Sequence, residues 1–284
     1  MRTRVRAAAF GIILLAGLAA CGGGGVAVVI PDVPFLSFIG PTPNEPVVLP
    51  GVSFNLGGAV DQADSTLSLT HDADLDLVGL SISTPDSSVS FGASEIACTG
   101  SGACTAADAT SRALVMSPSD LGWNYQTFGV WKKDLTAPGF QAGAISAGAI
   151  TPSVALPVGI TNAVFEGRAR GFFINPTGTL FNTDADMSAI TNFSSRNIQF
   201  STINTFIADP NTPSLPTPAQ ELNLTGVWNY NLGTSQFSGD VASVNGMLGS
   251  ASGRFYGPNA EEIGGIYSLT GSGATLFGGF GGKR

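Results

Sequence analysis

GRFYGPNAEEIGG, residues Gly253 to Gly265, packs the end of one strand, a sharp turn and the start of another strand into a short stretch. Arg254 to Tyr256 continues an alternating run that begins near Met247, and Gly257-Pro258 breaks it as a turn breaks a strand. Proline fixes φ and has no N–H to give to a ladder, Asn259 can satisfy local backbone groups, and Ala260-Glu261-Glu262 supports one short turn. Gly264-Gly265 then restarts an extended segment. Two glycines there suit a strand that must bend or admit a second backbone closely, as the corner of a small barrel requires. Glu262 reads as a cap for nearby backbone amides, not as an acid-base partner of Glu261.

Outward from this corner the chain alternates. Strands are expected at Ala163 to Ile174, Asp186 to Phe193, Asn197 to Phe206, Leu222 to Asn231, Gln236 to Ala242, Met247 to Tyr256, Gly264 to Leu269 and Ala274 to Phe280. An aromatic-rich run from Trp123 to Trp131 takes the count above eight, so either two neighbouring runs form one bent strand or one run lies in a loop. Asp209 to Pro218 and Gly139 to Pro157 read as long loops. With 38 Gly, 17 Pro and 43% hydrophobic residues, the composition is that of an all-β protein with a core.

The pattern G-x-F-Y-G-P-x-A-x-E-x-G-G resembles the signature of the transferrin-binding-protein-B-like surface lipoproteins of Gram-negative bacteria. Gly253, Phe255, Tyr256, Gly257, Pro258, Ala260, Glu262, Gly264 and Gly265 fall on it in register. Tyr267 stands where that family carries an aromatic, Leu276 to Arg284 (LFGGFGGKR) resembles its closing strand, and Trp123 to Trp131 resembles its first barrel strand. The resemblance covers the chain from about Gly122 onward. It implies an eight-stranded antiparallel β-barrel over 111–284, preceded by a small β-rich handle-like region over 51–110. A barrel of that size is filled by its own side chains, which leaves loops and outer walls to bind partners. Relatives bind iron- or haem-carrying proteins or an immune regulator. The resemblance therefore implies a protein or small-solute ligand, an outer-membrane transporter that receives it and a surface-lipoprotein translocator, or else a structural, adhesive or immune-evasion surface lipoprotein without a transport role. The transferrin binders have two lobes, whereas this chain has one barrel signature. Ligand-contacting residues of the family lie in variable loops, so the ligand-binding residues here stay unassigned.

Arg2, Arg4 and Arg6 precede an apolar run from Ala7 to Leu18, too short for a permanent membrane span, so residues 1–20 read as a secretion signal. Leu18-Ala19-Ala20-Cys21 matches the bacterial lipobox, which makes Cys21 the lipid-attachment residue; several acyl chains hold a protein on a membrane stably. By resemblance to proteobacterial lipoproteins, Gly22 rather than Asp after the cysteine implies export to the outer membrane. Residues 21–50, Gly-rich and then Pro-studded, read as a tether, with Val26 to Ile30 and Phe35 to Ile39 able to dock on a globular surface. Without the signal, nine basic residues face twenty acidic ones, a charge of about −11 that disfavours nucleic acid.

Cys98 and Cys104, in an oxidising compartment, read as a disulfide contributing about 2 kcal/mol rather than as a redox pair, which would prefer C-x-x-C. Asp72, Asp74 and Asp76 read as a solvated strand face, since a calcium loop starting at Asp72 would need Gly and Glu where Leu77 and Ser83 stand. His71 is the sole histidine, and no metal site is expected. No G-x-S-x-G is present, GFGGKR lacks the Ser or Thr and the helix of a phosphate loop, and neither an enzyme nor a cofactor is indicated. The rings of Trp123, Tyr125, Phe128 and Trp131 are expected in the barrel core or rim, with a bulge at Gly129. Mass spectrometry of the mature amino terminus should find it at Cys21 with acyl chains attached; an unmodified cysteine or cleavage elsewhere would refute the anchor.

Overall fold

A computed structural model of the chain describes residues 43–284, apart from 59, 61, 100, 101, 137, 138 and 211–214. The signal, Cys21 and the apolar segments Val26 to Ile30 and Phe35 to Ile39 lie outside the described residues.

Two antiparallel sheets make up the body. The first contains β1 (Pro46–Asn55), β2 (Ser65–His71), β3 (Leu77–Thr84), β4 (Ser87–Gly92), β5 (Ile96–Thr99), β6 (Ala103–Ala107), β7 (Ser111–Met116), β8 (Gln126–Asp134) and β9 (Phe140–Gly148). Its order is β4-β3-β2-β1-β9-β8-β7-β6-β5. Every step is antiparallel, so β4 and β5 at the two edges run in the same direction. Only the 3-10 turn Ala93–Glu95 separates them. The chain thus passes from the edge of β3 to the edge of β6, and the sheet all but closes around Leu49, Leu67, Leu80, Phe91, Val115 and Trp131.

The second sheet contains β10 (Ala163–Ile174), β11 (Leu180–Asn192), β12 (Asn197–Ala208), the two-residue β13 (Thr217–Pro218), β14 (Leu224–Tyr230), β15 (Gln236–Ser243), β16 (Leu248–Tyr256), β17 (Glu262–Gly271) and β18 (Ala274–Lys283). β10 bonds β18, and β11 bonds β12, so among the described residues the eight long strands form a closed antiparallel barrel. The expected all-β fold with an eight-stranded barrel is borne out. Alternation along the strands fills its interior. Trp228 lies between Phe200 and Phe237, with centroids 4.6 and 5.5 Å away, and Phe280 lies 4.8 Å from Phe200. Inward glycines make the space for these rings: a Cβ on Gly239 would sit 2.7 Å from the Trp228 indole, and one on Gly265 2.6 Å from the Phe280 ring. The wall glycines are sockets for aromatic side chains.

Several expectations require correction. Trp123 to Trp131 does not start the barrel: Gln126–Asp134 is β8 of the first sheet, and residues 111–148 belong with that sheet instead of the barrel. β8 is buried on both faces because it is sandwiched, with Trp131 turned into its own sheet and Val130 toward the barrel. Its aromatics therefore report sandwiching between sheets. No register shift occurs at Gly129. Gly139 to Pro157 is not one loop, since Phe140–Gly148 is β9, built from Ala, Gly and Ser because neighbours press on it from both sides. A Cβ on Gly143 would lie 3.0 Å from the Trp131 ring, and one on Gly148 2.8 Å from Tyr256. Val47 to Pro50, expected in the tether, continue β1. Asp72 to Asp76 is a turn and not a strand face: Asp72 Oδ1 accepts the N–H of Asp74 and of Asp76, and Leu75 has φ +71°.

If the aromatic stack fills the barrel, Trp228→Ala should lower the unfolding free energy by about 3–5 kcal/mol in urea titrations. A loss under about 1 kcal/mol would mean that the interior is not packed around this ring.

Candidate functional site: the signature corner and the seam beneath it

The signature residues form the corner between β16 and β17. Gly257 has φ +90° and Ala260 φ +59°, so the turn needs left-handed backbone at two places. Asn259 donates from its backbone N–H and its side-chain amide to the carboxylate of Glu261, at 2.8 and 3.0 Å, and its carbonyl accepts from Arg284 at 2.7 Å. The corner is also stitched to the chain after β9. Gly257 N–H donates to Ala149 O at 2.9 Å, Thr151 N–H to Phe255 O at 2.9 Å, and the Thr151 hydroxyl to Gly257 O at 2.7 Å.

Glu262, wholly buried at the first position of β17, points out of the barrel toward the first sheet. Its carboxylate accepts the backbone N–H of Asn124 at 2.6 Å and those of Tyr125 and Gln126 at 3.0 Å each. These amides are remote in sequence, so Glu262 does not cap its own turn as expected; it clamps the entry of β8. Three consecutive N–H groups converging on one anion form a small nest. Beside it Lys283, paired with Glu262 across the ladder, donates to Gly122 O at 2.6 Å. Burial pushes the Glu262 carboxyl above its ordinary range, opposed by the three N–H groups and the Lys283 charge. Tyr256, also buried, shares a hydrogen bond with Ser146 on β9 at 3.1 Å, and burial pushes its phenol up to about 12.

Around this clamp the two sheets are fused. Val52, Phe54, Val130 and Ala144 of the first sheet pack on Phe172, Ile266 and Phe277 of the barrel. Outward glycines bring the backbones together: a Cβ on Gly264 would sit 2.7 Å from Gln126 Oε1, and one on Gly279 2.6 Å from the Phe128 ring. The side-chain amide of Gln126 is buried here without a hydrogen-bond partner, as is Trp131 Nε1 inside the first sheet. Gln126, Ser146 and Thr151 escaped the sequence reading; they lie outside the signature, and only the three-dimensional seam brings them to it.

Gly253, Phe255, Tyr256, Gly257, Ala260, Glu262, Gly264 and Gly265 are all buried, and Pro258 is half-buried. The carboxylates of Glu261 and Glu262 both accept hydrogen bonds from within the protein. Cys98 and Cys104 face each other across the β5–β6 hairpin and are joined, far from the corner in the sheet order. His71 is half-buried, which holds its imidazole below the ordinary value against the opposing effect of Asp72. Among the described residues no three His, Cys, Asp or Glu side chains gather as a metal site requires. Trp123 and Phe128 pack on each other at 6.1 Å under the seam instead of offering a stacking surface. On the barrel wall Arg168 and Arg170 are paired with Asp184 and Asp186. Concave surfaces among the described residues include a cleft of about 420 Å³ between the β6–β7 hairpin and the barrel and a basin of about 590 Å³ at the barrel mouth.

A family model described as the C-lobe and N-lobe beta barrels of Tf-binding protein B matches residues 163–284, the whole closed barrel with its corner. The barrel, residues 163–284, is of the transferrin-binding protein B-like family. No curated protein matches it. Among solved structures it is similar to isotype 1 transferrin binding protein B of serogroup B Neisseria meningitidis, at 16% identity over 79% of this chain and 52% of that one, with a TM-score of 0.45. A mutant transferrin binding protein B of Haemophilus parasuis Hp5 gives 16% identity, 83% and 44% coverage and a TM-score of 0.47. The N-lobe domain of lactoferrin binding protein B of Moraxella bovis gives 10%, 84%, 97% and 0.38. The chain spans about half the length of the two transferrin-binding structures.

Two substitutions probe the corner of this family barrel. Gly257→Val should cost on the order of 1–3 kcal/mol, since it forces a β-branched residue to positive φ, and its Cβ would sit 2.6 Å from the Tyr125 ring. Glu262→Gln keeps one acceptor oxygen and turns an amide donor on the nest, with a loss of about 1–3 kcal/mol at neutral pH. Because the folded pKa of Glu262 is raised, folding favours its protonated form: that contribution is complete below the ordinary carboxylate range and is lost as pH rises through the folded value. The stability difference between wild type and Glu262→Gln should therefore shrink as pH rises across this window. A difference that is flat or grows would contradict the assignment.

Proposed function

We propose that this chain is an outer-membrane lipoprotein, anchored through Cys21 and facing the cell surface, that captures a protein ligand of the iron- or haem-carrier class for uptake. The observation that carries this reading is the aromatic-filled barrel of the transferrin-binding protein B type, which has no internal room for a ligand and holds its signature residues in the seam. Binding then falls to the loops at the barrel ends and to the first sheet, the handle of this architecture. The role is one of binding, not catalysis, and nothing in it calls for a cofactor. A surface-lipoprotein translocator would deliver the chain outward, and an outer-membrane transporter would receive the cargo.

The test uses the full acylated chain, purified in detergent and immobilised. Transferrin, lactoferrin and haemoglobin are passed over it, with serum albumin as control. One carrier should bind with micromolar affinity or better, about −8 kcal/mol, while albumin does not. External protease should also remove the protein from intact cells. Absence of binding to every carrier would overturn the carrier class, and protection from protease would overturn the surface location.

A further inference from the structure

We infer that the barrel mouth beside β9 and β10 docks a protein partner that seats an apolar side chain in the basin and a carboxylate on Arg196. The inference rests on the reading that ligands bind outside a filled barrel.

The segment between β9 and β10 makes a single 3-10 turn, Ser153–Ala155, and carries no charged residue before Ala163. With the β11–β12 and β14–β15 turns it surrounds the basin of about 590 Å³. Phe193 and Tyr230 form a buried floor, and Leu156 packs on the barrel core beside them. The rim is aliphatic and open: Val154, Val158 and Leu232 are 69, 94 and 86% exposed. Apolar surface gathered around a concavity in this way marks a place where another molecule excludes water.

Arg196 gives the basin its polarity. It ends the β11–β12 turn at φ +59°, a left-handed conformation uncommon for a residue with a side chain, and its carbonyl accepts the Tyr230 N–H at 3.2 Å. Its side chain is exposed and enters no ion pair among the described residues. No carboxylate lines the basin, so Arg196 is the single charge in an apolar frame. The complement is a carboxylate held next to an aliphatic or aromatic side chain. The acidic balance of the chain, −8 overall, repels a uniformly acidic partner at long range, so the matching acid must be local to the contact. A free fatty acid has the same chemistry, but small ligands sit in sites that enclose most of their surface, and this rim projects outward instead. An apolar anchor with a charged neighbour is the usual centre of a protein contact.

To test this, a random-peptide phage library is selected on the full chain, and the enriched peptides are measured by fluorescence anisotropy. The targets are wild type, Val158→Asp, Leu232→Asp and Arg196→Glu, each exposed position being checked for an unchanged circular dichroism spectrum. Enriched peptides should pair Leu, Ile or Phe with a nearby Asp or Glu. Each variant should weaken them about tenfold or more, and Arg196→Glu should regain binding when the peptide acid is replaced by Lys. Peptides that bind all three variants like wild type, no enrichment at all, or competition by dodecanoate without any peptide site would overturn the proposal. If an iron carrier binds wild type and Leu232→Asp alike, the basin assignment fails while the proposed function stands.

Discussion

A buried carboxylate holds this molecule together. Glu262 leaves the barrel wall, loses its water, and recovers hydrogen bonds from three successive amides at the start of β8. Neither side of the arrangement can be given up cheaply: without the carboxylate, three backbone N–H groups in the seam have no acceptor, and without the amides a charge lies buried. The signature turn supplies the geometry. Positive φ at Gly257 and Ala260 swings the chain so that β17 begins with Glu262 facing outward, and the hydrogen bonds from Thr151 and to Ala149 fix that turn against the segment leaving β9.

The glycine content follows from two demands made on the same strands. Facing inward, Gly239, Gly253 and Gly265 clear space for Trp228, Phe237 and Phe280; facing outward, Gly264, Gly279 and Gly281 let β8 come against the wall. A strand such as β18, with glycine on both faces and Phe277 and Phe280 between them, can thus fill the barrel on one side and grip the first sheet on the other. The barrel is left solid, and its fused face is closed to solvent. What remains for recognition is the rest of the wall and the two mouths.

Much of the barrel was legible in the sequence. Ala163–Ile174 was expected with the ends it has and six other long strands to within three residues, whereas β11 begins at Leu180, six residues before the expected Asp186; alternation is clearest in β11, β12 and β15, where one face meets the filled core and the other is open. Alternation fails where a strand is covered twice. β8 reads as an aromatic barrel strand and β9 as a glycine-alanine loop, and both stand between the sheets, where period two disappears. Glu262 was recognisable as a carboxylate serving backbone amides, but nothing in its neighbourhood pointed to amides so distant along the chain. Arg196 gave no signal at all, since a lone exposed arginine in a turn acquires meaning only from the loops that come to surround it.

Glu262 clamps the first sheet to the barrel, and backbone amide exchange at Asn124, Tyr125 and Gln126 tests that clamp most directly. The three amides should exchange as slowly in the wild type as those of the barrel core around Trp228, and in Glu262→Ala they should speed up together while the core amides stay protected. Rapid exchange of these amides in the wild type, or protection unchanged by the substitution, would contradict the account.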